Sequence, residues 1–309
     1  MRPLLLVIAK LASALAVALG VASLVFLLLH LVPGDPVEVM LGDYAGAADR
    51  AALRARLGLD LPLIEQWLRF LLGLARGDLG VSLHSGDTVR ALLARHFAAT
   101  ALLALAAFCV ALALGLPLGA LAALHAGRRL DGLASAFAVL GMSLPSFVLG
   151  PLLLILFAAR LRWFPIGGAE SAASLVLPAV TLGLGLAAVL ARMTRAALLD
   201  VLNQPFVLAA RARGVGEAAV LLRHAARNAA LPVVTVLGLQ LGALLGGAVV
   251  TETVFDWPGV GHLLIEAIQR RDYPVVQGAV LLIALCYIGV NALVELLYAW
   301  LDPRIGGAR

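Results

Sequence analysis

Six stretches of this chain contain no Asp, Glu, Lys or Arg: 11–29, 97–124, 132–159, 171–191, 228–251 and 273–294. Each reaches or approaches the ~20 apolar residues a helix needs to cross the hydrocarbon core of a bilayer. Water is absent there, so a spanning segment must satisfy its own backbone N–H and C=O groups, and a helix does so within one segment. The expectation is an all-α membrane protein with six transmembrane helices. Composition agrees: 62% of the 309 residues are hydrophobic and 13% are charged, with a mean hydropathy of +1.02. No water-soluble fold of this size hides that much apolar surface.

Charge then orients the chain. A net charge of +5 and a pI near 9.9 do not point to nucleic acid, because the basic residues gather at span ends. With the N-terminus inside, the inner face holds Arg2, Lys10, Arg128, Arg129, Arg192, Arg195, Arg211, Arg213, Arg223, Arg227, Arg304 and Arg309. Only Asp131, Asp200, Glu217 and Asp302 oppose them there. The bias follows the positive-inside rule and puts both termini in the cytoplasm. The first stretch has a short basic flank and no convincing small-residue cleavage site, so an uncleaved anchor is expected rather than a signal peptide. Cys109 and Cys286 lie inside apolar runs and read as small buried hydrophobes, not as a disulfide framework.

A long outer segment, 33–96, follows the first span. Pro33-Gly34-Asp35-Pro36 marks a turn. Ala47 to Leu57 reads as a helix stopped by Gly58, and Leu63, Trp67, Phe70, Leu71 and Leu74 form a stripe at helical spacing. That stripe suits packing on the outer face of the protein or at the lipid interface. Gly115 with Gly119, and Gly238 with Gly242 and Gly246, are small-residue ridges that let helices approach closely. Pro117, Pro145, Pro151 and Pro178 are expected to bend or interrupt spans.

Between spans four and five lies a basic, Ala-rich stretch, 203–232. Pro205 suits a first helical turn. Gly214 and Gly216 can stop one helix and start another, so a short helix, a Gly turn and a second helix ending before Pro232 are expected. Ala209-Ala210, then Gly214, then Leu231-Pro232 resembles the "EAA" loop of ABC importer permeases. Ala210-Arg211-Ala212-Arg213-Gly214 with Arg223-His224-Ala225-Ala226-Arg227-Asn228 resembles the dipeptide, oligopeptide and nickel subfamily. Leu208 stands where the usual motif has Glu, and the Gly-to-Pro interval is eighteen residues. Four further groups of residues resemble the same subfamily: Pro33-Gly34-Asp35-Pro36, Gly77-Asp78-Leu79-Gly80-Val81-Ser82, Glu252-Thr253-Val254-Phe255 with Trp257-Pro258-Gly259, and Arg271-Asp272-Tyr273-Pro274.

The resemblance implies the ABC transmembrane type-1 permease fold, in the first-permease type of inner-membrane subunit. It divides the chain into 1–95, an N-terminal helix plus external segment, and 96–302, the permease core with its coupling loop. It implies a cell inner-membrane location, two cytoplasmic ATPase subunits, a second homologous permease forming a heterodimer, and an external solute-binding protein. The solute would be a peptide or a related small molecule: dipeptide, oligopeptide, nickel chelate or glutathione. ATP and Mg would be used by the ATPase partners and no cofactor bound by this chain.

The residues themselves argue in the same direction. The single lysine, Lys10, follows Ala9, so the Gly-Lys-Ser/Thr core of a phosphate-gripping loop is absent. The histidines at 30, 84, 96, 125, 224 and 262 are scattered, with no His-Glu-x-x-His. An enzyme is therefore not expected. Phe206, Ala209 and Ala210 would form the contact side of the coupling knob, with Arg211 and Arg213 at its rim and Gly214 at its turn. By the same resemblance, Glu252, Phe255, Trp257, Pro258, Asp272 and Tyr273 would meet the binding protein. Gln240 and Asn291 are polar within spans and could line a pathway or bond between helices, while Glu295 sits near a helix end, where snorkelling or pairing is favoured over a proton relay. The rival reading is a self-sufficient secondary transporter or channel; a membrane-anchored assembly factor is a third.

Overall fold

The computed structural model describes residues 2–31, 37, 41 and 46–301, and no strand occurs among them. The Pro33–Pro36 turn and residues 302–309 lie outside the described residues. Eleven helices set the frame. They are α1 (Arg2–Leu31), α2 (Ala47–Leu57), α3 (Leu63–Ala75), α4 (Val89–Leu124), α5 (Arg129–Ser143), α6 (Ser146–Leu153), α7 (Val176–Leu202), α8 (Pro205–Ala212), α9 (Ala226–Val254), α10 (Val260–Gln269) and α11 (Tyr273–Leu301). A π-helical turn, Leu154–Arg160, extends α6, and a second one, Val220–Ala225, leads into α9.

Among the described residues, three helical stretches are long and apolar enough to cross a bilayer unbroken: Val89–Leu124, Ala172–Leu202 and Tyr273–Val294. Two more crossings are bent, Arg129–Ser143 with Ser146–Arg160 at 104°, and Glu217–Gly242 with Gly246–Val254 at 55°. Helix α1 contributes the apolar run Ala12–Leu27. The stretch 132–159, expected as one span, is thus two helices at nearly a right angle. Pro145 is the cause: Leu144 before it is forced into extended backbone (φ −93°, ψ 107°), as a residue preceding proline tends to be. The other prolines do not break their helices. Pro117 and Pro151 lie inside α4 and α6, and Pro178 falls in the first turn of α7, where its missing N–H costs nothing.

The chain forms two compact units, one of residues 1–99 and 259–288 and the other of 100–258 and 289–309. In the first, Val89 and Leu93 pack with Val260, Leu263, Leu264 and Ala267 of α10 and with Val275, Val276 and Ala279 of α11. Helix α2 stops as expected, with Gly58 left-handed (φ 68°) and the Leu59 N–H on the Arg54 carbonyl at 3.0 Å. Two residues of the stripe on α3 pack on α1: Trp67 Nε1 donates to Ser23 Oγ at 3.1 Å, and Phe70 stacks on Phe26 at 5.7 Å.

In the second unit α4 and α7 touch through glycine. A Cβ at Gly119 would sit 2.5 Å from the Ala191 carbonyl oxygen and 2.6 Å from Thr194 Cβ; one at Gly115 would sit 2.9 Å from the Ala187 oxygen. From the other side, a Cβ at Gly183 would meet Val110 Cβ at 2.7 Å. Apolar contact alone does not favour protein over lipid tails, so such backbone approach is what holds spans together. The ridge on α9 behaves differently along its length. Gly238 is pressed against Val294, but nothing lies within 4 Å of a Cβ at Gly246, and the helix bends between Gly242 and Gly246.

Candidate functional site

The stretch 203–232 folds as a knob with a buried root and an exposed crown. Pro205 occupies the first position of α8, where no intrahelical N–H is needed. Val207 is wholly buried and Ala210 is 4% exposed. Val207 joins Leu198 and Leu202 at the end of α7, and Val220, Ala225, Ala229 and Val233 at the start of the next span, in one core cluster. A residue placed 100° away on the same short helix escapes this cluster, which is why Phe206 is 43% and Leu208 is 56% exposed.

The sequence placed Ala210 on the contact side; the structure turns it inward. Its small side chain lets α8 lie close against the chain, and the outward positions are Phe206, Leu208 and Ala209. Arg211 and Arg213 are exposed. Arg211 makes a two-pronged bond to Glu217, Nε to Oε1 at 2.8 Å and Nη2 to Oε2 at 3.0 Å. That pair bridges the turn and holds the two sides of the knob together.

Of the two glycines in the turn, only Gly214 is left-handed (φ 80°). Its N–H bonds the Arg211 carbonyl at 2.9 Å, and Val215 N–H reaches the Ala210 carbonyl at 3.3 Å. This is the glycine stop that satisfies free carbonyls at a helix end. Gly216 is extended (φ −64°, ψ 150°), a conformation open to any residue. Nor does a helix end before Pro232: α9 runs through it. Arg223, Arg227 and Pro232 are all exposed, and Asn228 Nδ2 donates to the His224 carbonyl at 2.7 Å.

One link near the knob was missed by sequence reasoning, which saw its two members only as members of a charge tally. Arg195 of α7 bonds Asp131 of α5 through Nε to Oδ1 and Nη2 to Oδ2, the latter at 2.8 Å. The Gly127 N–H also donates to Asp131 Oδ2 at 2.9 Å. Two opposite charges each inside or beside an apolar stretch are the signal that could have paired them, because buried charges are matched.

The residues expected to face a binding protein are mostly interior. Glu252, Phe255, Trp257 and Asp272 are 0%, 2%, 3% and 4% exposed. Their side chains therefore shape the loops and do not themselves present a surface. Thr100 Oγ1 donates to Glu252 Oε1 at 2.6 Å. Phe255 fills a cluster with Ala158 and Leu177. Ser82 Oγ and the Leu83 N–H both donate to the Asp272 carboxylate. Asp256 and Arg271 are left-handed (φ 50° and 54°) and close the ends of α9 and α10, with Trp257 N–H on the Glu252 carbonyl and Asp272 N–H on the Ala267 carbonyl, each at 2.8 Å. Pro258 remains exposed and Tyr273 half-buried. Gln240 and Asn291 are half-buried within their spans. Glu295 falls on α11, but its side chain is outside the described set. No group of three metal-ligating side chains occurs among the described residues.

Bilayer-length helices joined by glycine contacts, with one exposed helical knob between two of them, define a helical membrane protein. The chain belongs to the family of binding-protein-dependent transport system inner membrane components, which matches residues 115–307. The N-terminal region of the same system's membrane component matches residues 4–104. It is 43% identical over 299 residues to the glutathione transport system permease protein GsiC of Salmonella paratyphi A, covering 97% of this chain and 98% of that one. It is 44% identical over 285 residues to the protein of the same name from Escherichia coli O6:H1, covering 92% and 93%.

Among solved structures it resembles the MetNI methionine ABC transporter in inward-facing conformations, with TM-score 0.58, 21% identity, and 68% of this chain and 96% of that one covered. An amino acid ABC transporter with histidines gives TM-score 0.52 at 19% identity, covering 70% and 94%. At such identities the likeness is one of fold, the type-1 importer permease fold. The chain is thus a multi-pass inner-membrane permease subunit of an ABC importer, a family that works with ATPase subunits and a binding protein. ATP hydrolysis resides in the separate subunits.

Proposed function

We propose that this chain forms half of the transmembrane pathway for a small peptide-like solute, of which glutathione is the first candidate. One of two cytoplasmic ATPase subunits grips α8, a second, different permease completes the pathway, and an external binding protein delivers the solute near 33–96 and 252–277. Both termini lie in the cytoplasm. ATP and Mg are used by the ATPases alone. The observation that carries the motor side is the knob: Phe206 and Leu208 are exposed while Val207 is fully buried between the ends of two spans. An apolar helix face laid in a partner groove is a recurrent docking mode, and a rigid root transmits displacement to the spans. The solute class rests on 43% identity across nearly the whole chain to glutathione permeases. The half-exposed Gln240 and Asn291 are proposed as pathway residues.

The test is uptake of labelled glutathione and dipeptides by vesicles holding the assembled transporter, with and without ATP. ATP-dependent uptake that falls on Leu208→Glu together with Ala209→Glu, while assembly into the membrane persists, supports the proposal. Solute flux through this chain alone, without ATPase, overturns it in favour of a secondary transporter or channel. A thiol at position 213 that reacts only from outside the cell overturns the orientation.

A further inference from the structure

Helix α3 has apolar surface left over after it packs on α1. At about 100° per residue, its positions fall into three strips. Trp67 and Phe70 form the first, held to Ser23 and Phe26 of α1. Glu65 and Arg69 form the second, paired with each other at 2.9 Å. Ile64, Leu68 and Leu72 form the third, four residues apart, and they are 65%, 48% and 56% exposed. No residue of α3 is buried.

The anchor points set its depth. Ser23 and Phe26 belong to the apolar run Ala12–Leu27 of α1. Phe26 lies four residues before His30, the first ionisable residue after the charge-free run 11–29, or about 6 Å along a helix axis at 1.5 Å per residue. That is the depth at which amphipathic helices lie, with their apolar face ~5–10 Å into the headgroup and acyl boundary. The neighbouring surface of α1 is of the same kind, with Leu24 57% and Leu27 46% exposed.

We propose that α3 is an interfacial helix whose Ile64, Leu68 and Leu72 ridge is immersed in the acyl chains of the leaflet at the C-terminal end of α1. The single polar strip, Glu65 with Arg69, then faces water. Lipid fits better than a protein that comes and goes, because its departure would leave a bare, charge-free ridge in water, which soluble surfaces avoid. The immersed helix braces the segment between α1 and α4 against the membrane plane. This inference needs only that α1 spans the bilayer and is independent of solute or ATPase.

The test uses the full chain with Cys109→Ala and Cys286→Ala, carrying Ile64→Cys, Glu65→Cys, Leu68→Cys or Leu72→Cys in turn. Each thiol takes a nitroxide, in vesicles of phosphatidylethanolamine and phosphatidylglycerol. Collision rates with oxygen and with a water-soluble nickel chelate are then measured, for the chain alone and for the assembled transporter. Oxygen collisions exceeding nickel collisions severalfold at 64, 68 and 72, with the reverse at 65, are expected. Nickel dominance at all four sites places the ridge in water and overturns the proposal. Suppression of both collisions at the ridge, in either preparation, shows a protein cover and overturns it equally.

Discussion

Arg195 and Asp131, sixty-four residues apart, form a two-pronged ion pair that ties α7 to the first turn of α5, with the aspartate side chain 8% exposed. Helix α7 is the one that ends in the root of the knob, so this bond connects the knob's supporting helix to a neighbouring span. Removing one partner leaves the other charge unmatched, which is costlier than removing both. Asp131→Ala is expected to lower the melting temperature of the second unit. Asp131→Ala with Arg195→Leu should recover part of that loss. Melting of the purified chain in mild detergent measures both.

Glycine contacts between α4 and α7 set a second expectation. Gly119→Val must push into Thr194 and the Ala191 backbone, and overpacking costs about 1–3 kcal/mol. Gly246→Ala meets nothing within 4 Å, so only the bend at 55° could resist it. A lower melting temperature for the first and an unchanged one for the second are expected, and an unaltered Gly119→Val would show that the two helices separate easily.

For the knob, Phe206→Ala should weaken ATPase-subunit association by about 2 kcal/mol, the size of an interface hot spot, or roughly thirtyfold in Kd. Val207→Ala should act differently, loosening the root and lowering thermal stability of the isolated chain. Titration of purified ATPase subunits against each variant separates the two effects.

Gly214→Ala tests backbone conformation alone. Its φ of 80° is left-handed and no atom lies near a Cβ there, so the cost is about 1–2 kcal/mol of conformational strain. Gly216→Ala, at φ −64°, should be neutral. Proteolysis within 213–217 is the readout, rising for the first variant only.

Ser82→Ala takes a hydroxyl away from the buried Asp272 carboxylate. An under-satisfied buried acceptor costs about 1–3 kcal/mol. Faster hydrogen exchange at 82–88 and 271–276 is expected, with the second unit unaffected.

Much of this was readable in the residues. Charge-free runs announced the spans, Pro205 and Gly214 bracketed α8, and Gly58 marked the end of α2, because each of these acts over one helical turn or one bilayer thickness. The inward turn of Ala210 was not readable: at eight residues α8 is too short for its pattern to reveal which side has a neighbour. The same holds for Glu252, Trp257 and Asp272, whose family-like setting suggested a surface while they fill an interior. Pro232 looked like a stop, but a span that carries on through it tolerates the missing bond.

Lipid as the solvent, the helical class and the place of the knob followed from composition and order alone, since the free energy of apolar transfer depends on residue type and run length. The near right angle at Pro145, the pairing of Arg195 with Asp131 and the choice of exposed face on α8 and α3 were decided only in three dimensions. Those depend on what lies across from a residue, and partners scores of positions away leave no local trace in the order of amino acids.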